Sequence, residues 1–357
     1  MGTSWRIAVL GFDHMHAGDQ LRLAAASPSA ELVGACDGQP GRVRAVLADL
    51  DLPESLLYAD AAEMLDRASP DIVVVCSTTA DHVRWTEFLA PYRVHVVVEK
   101  PFASSLADAD RMITAMRDTG RTLTVNWPLA WYPPHRTTRR LIAEGAVGRV
   151  VAIHYHDGNR GPLKHVHDKH VVAAGDDVAT KNAAWWYQPA AGGGSLLDYL
   201  GYGVTLGTWF RDGEMPYEVT AVTHVPDGLE VDEQSVVTAA YASGLSTFQT
   251  RWGTLTDPWV VQSAPRCGFT VVGSAGVITS WDYADHVTLH TTVDPEGVPI
   301  PVDVLAPVER DHLGFLIDSL ERDVPIEGPS SWEISRAGQR IVDAAIASAH
   351  GRTAVSL

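Results

Sequence analysis

Between Arg6 and Asn126 five short runs are apolar almost without interruption: "RIAVLGF", "ELVGACD", "DIVVVCS", "VHVVVEK" and "RTLTVN". A strand with one wet face alternates apolar and polar side chains, so a run that stays apolar must be covered on both faces. Between these runs, residues 17–26, 41–49, 81–89 and 106–119 carry apolar residues at helical spacing. Strand and helix in strict alternation predict a parallel, doubly wound sheet, an α/β architecture that binds ligands at the carboxyl ends of its strands.

The texture changes after Asn126. "WPLAWYPPHR" reads as a crossover, a short helix is expected over 136–144, and "RVVAIHYHD" reads as a strand. A glycine cluster then opens a helix (192–210), strand-like runs fill 219–289, and helical patterns return near 309–320 and 331–349. Several consecutive strands with few helices imply an α+β domain with a mostly antiparallel open sheet. The expected division is 1–126 and 127–357, with the C-terminal helix packing back on the first domain. A chain of 357 residues favours two domains over one core. An open sheet face in the second favours a homodimer or homotetramer.

The formal charge of −17 argues against nucleic acid or an anionic membrane as partner. No apolar run reaches the ~18 residues of a membrane span. Cys36, Cys76 and Cys267 are far apart, and the first two sit in apolar runs. Free thiols in a reducing, cytoplasmic setting are therefore expected.

The first strand runs into Gly11, as in a dinucleotide fingerprint, yet Asp13 and His16 stand where G-x-G-x-x-G needs its other glycines. Gly11 makes the bend. Asp13 puts a side chain where bare backbone is usual, and His14 and His16 add donors able to face phosphate. Asp37 ends the second strand, where a carboxylate accepts from adenosine ribose hydroxyls and repels a 2′-phosphate. That favours NAD over NADP, with Arg42 the residue able to reverse the preference.

The stretch 73–113 holds Ser77–Thr79, the pair Asp81–His82, and Glu99–Lys100–Pro101 after a fifth strand. Together these resemble the glucose–fructose oxidoreductase / inositol dehydrogenase (Gfo/Idh/MocA) family. "WWYQPAAGGGSLLDYLGYGVTLGTWF" is similar to that family's Trp…Gly-Gly-Gly…Asp-x-x-x-His segment, with Tyr202 where many members carry His. The last helix resembles the family's too. The resemblance implies a Rossmann domain holding NAD through Gly11, Phe12, Asp13, His14, Met15, Asp37, Ser77, Thr78, His82, Glu99 and Lys100. It also implies catalysis by Lys100, Asp198 and Tyr202.

Lys100 ends a strand at the ligand edge of the sheet, where it can hydrogen-bond a substrate hydroxyl and move its proton. Asp198 and Tyr202 are four residues apart and share a helix face. A phenol, with a pKa of about 10, is a poor base, so Tyr202 is expected to gain from the neighbouring ammonium; Asp198 is expected to orient Lys100 or a sugar hydroxyl. "RGPLKHVHDKH" sets Arg160, Lys164 and Lys169 against Asp168. An anion pocket from Arg160, Lys164, His165 and His167 competes with a solvated loop. The spacing His165-x-His167-x-x-His170 fits no fixed zinc pattern, and no metal is expected. Trp185 and Trp186 offer an apolar wall for a sugar ring, or core packing. The expected activity is NAD-dependent oxidation of a secondary hydroxyl of a sugar, polyol or sugar acid. The alternatives are a redox-neutral NAD-dependent glycosidase acting on an anionic glycoside, and a cofactor-bound sensor.

Overall fold

The apolar runs become one parallel sheet in the computed structural model, which describes residues 4–164, 177–255, 262 and 264–357. Its strands are β1 (Trp5–Leu10), β2 (Ala30–Cys36), β3 (Leu57–Tyr58), β4 (Ile72–Val75), β5 (His95–Glu99) and β6 (Leu123–Asn126). They lie in the order β3-β2-β1-β4-β5-β6, with every pair parallel. All residues of β4 and β5 are buried, which is why neither alternates. The connecting helices are α1 (Ala17–Ala26), α2 (Pro40–Asp49), α3 (Ala61–Ala68), α4 (His82–Leu89) and α5 (Leu106–Arg117). The apolar pattern did not announce α3 or β3. The helix is barely two turns long, started by the Asp60 carboxylate accepting from the Glu63 amide, and the strand has two residues.

In the second half, α6 (Pro133–Ala143) begins on the prolines that read as a crossover. In a first helical turn a missing N–H costs nothing and the fixed φ is already right. Then come β7 (Val150–Gly158), α7 (Val178–Ala183), α8 (Ser195–Phe210), β8 (Glu218–His224), β9 (Gln234–Tyr241), β10 (Gly244–Arg251), β11 (Gly268–Gly273), β12 (Gly276–Trp281), β13 (His286–Thr291) and β14 (Val298–Pro301). The chain ends with α9 (His312–Glu321), α10 (Trp332–Gly351) and β15 (Val355–Ser356). The second sheet runs β14-β13-β12-β11-β7-β10-β9-β8-β15. Only its β7–β10 pair is parallel among the described residues.

Helix α8 lies on this sheet because glycines let it approach. A Cβ on Gly203 would sit 2.4 Å from the Tyr155 ring, and one on Gly201 would sit 2.7 Å from Trp127. At its far end the buried Arg211 guanidinium donates to Ser243 (2.6 Å), Ser246 (2.9 Å) and the Val151 carbonyl (3.2 Å). It also pairs with Glu214 at 3.0 Å and lies 3.9 Å from the centroid of the Tyr241 ring.

The last two helices join the halves. Leu313, Leu316 and Ile317 of α9 pack with Ile7, Val9, Leu21 and Val97 on one face of the parallel sheet. Helix α10 donates from Arg336 to Asp110 (2.5 Å) and accepts at Asp343 from the Leu106 amide (2.7 Å). Its Ser348 hydroxyl accepts from the Ala221 amide of β8 at 2.9 Å.

Candidate active site

Gly11 ends β1 with φ +82°, and a Cβ there would stand 2.8 Å from the Ser77 amide nitrogen. Both the left-handed bend and the close approach require glycine. The Phe12 amide donates to Asp37 at 2.8 Å, the Gln39 amide to the other Asp37 oxygen at 2.6 Å, and the His14 amide to the Cys76 carbonyl at 2.9 Å. Asp37, expected at a ribose, is thus buried and spends one bond from each oxygen on the turn itself. Asp13 pairs with Arg42. Ser77 packs against Gly11, Thr78 precedes a short helical turn, and His82 hydrogen-bonds the Phe102 carbonyl at 3.2 Å.

Does this turn still fit a dinucleotide? Among the described residues, no hydrogen bond reaches the amides of Asp13, Met15, Gly18 or Asp19. Bare amides at the start of α1 suit a pyrophosphate, and Arg42 neutralises the acid beside them. The residues fit NAD.

Lys100 follows the last residue of β5. Its ammonium meets Asp198 at 2.5 Å, with both side chains largely buried. The other Asp198 oxygen accepts from the Trp252 indole at 3.1 Å. The Lys100 nitrogen lies 5.4 Å from the Tyr202 ring centroid and 5.6 Å from that of Tyr199. The three residues expected to act together do meet, across the two sheets. Tyr202 differs from expectation in one respect. Burial, and then the negative charges of Glu99, Asp198 and Asp157, push its phenol well above the usual range. That favours the protonated phenol over the phenolate.

Glu99 is fully buried. It meets His16 Nδ1 at 2.9 Å and accepts from the Lys100 amide (3.1 Å), Asn126 (2.9 Å) and Gln20 (3.4 Å). Burial alone would raise its pKa, but the charge and hydrogen bond of His16, with His14 and Asn126, hold it well below the carboxylate range. His16 is raised because Glu99 outweighs its burial. His14 is lowered, mainly by burial and then by His16.

These groups open on a cavity of about 510 Å³. Lys100, Asp198, Tyr199 and Tyr202 form one wall, His14, Met15, His16 and Asp19 another, and Asp157, Asp282, Tyr132 and Tyr283 a third. Asp157 accepts from the Tyr155 hydroxyl at 2.6 Å, and burial, then the Asp282 charge, pushes it up to about 7. Asp282 meets His135 Nε2 at 2.8 Å.

Arg160 and Lys164 are not among the lining residues, whereas Asn159 and Pro162 are. His165, His167 and His170 fall outside the described residues. Of the tryptophan pair, Trp186 lines the cavity. Trp185 stacks on it at 4.7 Å and donates to the Asp13 carbonyl at 3.0 Å, bracing the coenzyme turn. The sequence reading missed Asp157, Asp282, Arg310 and His312. Only Asp157 carried a signal, an acid at the end of an alternating strand.

Asp232 starts α8, accepting from the Leu196 amide at 2.9 Å, and burial pushes its carboxyl up to about 7. The folded chain then holds a proton that the unfolded chain has already lost, so stability falls as pH rises from about 4 to about 7 and is flat above. Asp232→Asn is expected to remove this slope. Urea midpoints measured across that range check it, and parallel profiles for variant and parent would refute it.

Residues 5–127 match the oxidoreductase family with an NAD-binding Rossmann fold, and residues 135–279 match the GFO/IDH/MocA C-terminal domain. D-apiose dehydrogenase from Paraburkholderia graminis is 32% identical over 136 residues, 38% of this chain and 34% of that one. 1,5-Anhydro-D-fructose reductase from Ensifer adhaerens is 39% identical over 85 residues, 23% and 26% of the two chains. The chain thus aligns with about a third or less of the length of these relatives. An inositol dehydrogenase homologue from Azotobacter vinelandii, solved with NAD+, superimposes with a TM-score of 0.80 at 17% identity, over 100% of this chain and 98% of that one. With both of its halves matched in order, the chain belongs to the GFO/IDH/MocA family of NAD-binding oxidoreductases.

Proposed function

We propose that this protein oxidises a secondary hydroxyl of an uncharged sugar or polyol with NAD. The observation that carries the reading is the buried Lys100–Asp198 pair, 2.5 Å apart, on a cavity beside the bare amides of α1. Bound nicotinamide supplies the hydride acceptor. Lys100, held in place by Asp198, hydrogen-bonds the reacting hydroxyl and takes its proton as it passes one of its own to the Asp198 carboxylate. Tyr202 stays protonated and donates to the same oxygen. Asp157 and Asp282 accept from the remaining hydroxyls.

The lining favours a neutral substrate over the anionic one suggested by the 160–170 stretch. Asp19, Asp157, Asp198, Asp282 and Asp311 face Lys100 and Arg310, and an anion entering such a wall is repelled. Exposed Val222, Val236 and Leu245 on the second sheet support pairing of two copies.

The test is a screen of polyols, neutral aldoses, sugar acids and aryl glycosides with NAD, following NADH and aglycone separately. NADH from a neutral polyol or sugar is the expected result. Turnover confined to sugar acids would overturn the neutral assignment, and aglycone release without NADH would replace oxidation by redox-neutral cleavage.

A further inference from the structure

The turn that lost its glycines gained two histidines, and the bare amides that suit the pyrophosphate leave both side chains for a second role. His14, His16 and Glu99 each bring one donor atom to within 4.8 Å of the others. Glu99 and His14 are buried, and His16 is partly so. His16 Nδ1 and Glu99 Oε1 stand 2.9 Å apart in a hydrogen bond, which an ion with bonds of about 2.0–2.2 Å in tetrahedral geometry replaces by widening the pair by about half an ångström.

The outer contacts are those of a held ligand. Asn126 and Gln20 fix the second Glu99 oxygen, as hydrogen-bonded carboxylates are fixed in metal sites. His14 Nδ1 accepts a 3.2 Å bond from the His16 amide, which a cation bound through that atom displaces.

His312, at the start of α9, lines the same cavity and is 6% exposed. Its Nε2 is buried with no hydrogen-bond partner among the described residues. A buried imidazole nitrogen left unpaired is costly.

We propose that His14, His16 and Glu99 bind one divalent transition-metal ion. Imidazole with a single carboxylate selects Zn²⁺, Co²⁺ or Ni²⁺ over Mg²⁺ and Ca²⁺, which take oxygen ligands. The ion ties the fingerprint turn (His14, His16) to the end of β5 (Glu99). Metal–ligand bonds thereby hold a turn that lacks the usual second and third glycines.

The experiment uses the full chain, stripped with a chelator and titrated with Co²⁺ while visible d–d absorption is recorded, with Zn²⁺ calorimetry and thermal melts alongside. One Co²⁺ per chain and a higher melting temperature are expected. His16→Gln and His14→Gln should each weaken binding by at least the ~10–100-fold that outer-shell changes cost, while His224→Gln, at an exposed position of β8, leaves it unchanged. Melts of the stripped variants separate lost ligation from lost folding. Less than one equivalent of Co²⁺, or affinity indifferent to both turn substitutions, overturns the site. NAD binding by stripped protein is measured separately. NAD uptake without a metal leaves the proposed dehydrogenase standing, and metal uptake without NAD leaves the site standing.

Discussion

Lys100→Met is expected to lower kcat/KM for the polyol substrate by roughly a thousandfold, within the range for loss of a positioned acid–base group. The affinity for NAD, measured by calorimetry, separates loss of a reacting group, which leaves it near the parent value, from loss of the coenzyme contact that the resemblance also implies for Lys100. Methionine keeps the length and apolar stem of lysine and removes the ammonium that lies 2.5 Å from Asp198. Asp198 is then left largely buried without its cation, so a lower melting temperature accompanies the loss. Asp198→Asn keeps the shape and the bond from Trp252 while removing the charge. If Lys100 acts directly, Asp198→Asn costs less in kcat than Lys100→Met. Equal losses in both, tracking stability, would mean that the pair only holds the cavity together. A Lys100→Met enzyme with ordinary kcat/KM would end the proposed mechanism.

Arg211→Met is expected to destabilise the fold by about 3–5 kcal/mol, the range for removing one partner of a buried charge network. The Arg211 side chain is fully buried, and its guanidinium ties the end of α8 to Ser243, Ser246 and the Val151 carbonyl while pairing with Glu214. Methionine fills most of the volume and leaves those acceptors short of a donor. A shift in urea midpoint at constant slope checks the figure. Arg211→Lys should recover only part of the loss, since an ammonium cannot span the same acceptors with a planar fork. A shift under about 1 kcal/mol would show that water replaces the guanidinium at little cost.

The parallel sheet was legible because burial on both faces writes itself into composition. Val73–Val75 and Val96–Val98 can be little else, and α1 fell where spacing put it. Elements held by local chemistry were less legible. The start of α3 depends on the Asp60 cap, and α6 begins on prolines whose helical role shows only once their position is known. At the site, Lys100, Asp198 and Tyr202 were found through neighbours in sequence that the family resemblance made meaningful. Asp282 and His312 come from distant segments, and no spacing in a single chain reports that 282 and 312 line one cavity with 157. The Tyr202 phenol was misjudged for a related reason. The cation beside it was foreseen, but the burial and the three carboxylates that outweigh it belong to the folded state.

The seating of α9 against Ile7, Val9, Leu21 and Val97 bears on how this molecule is made. Vectorial synthesis delivers those four residues early, yet the helix that seals them begins at His312. Until that segment emerges from the ribosome, the nascent parallel sheet keeps an oily flank bare. Nascent chains stalled before α9 should therefore be captured by holdase chaperones and cut by protease far more readily than chains stalled after it.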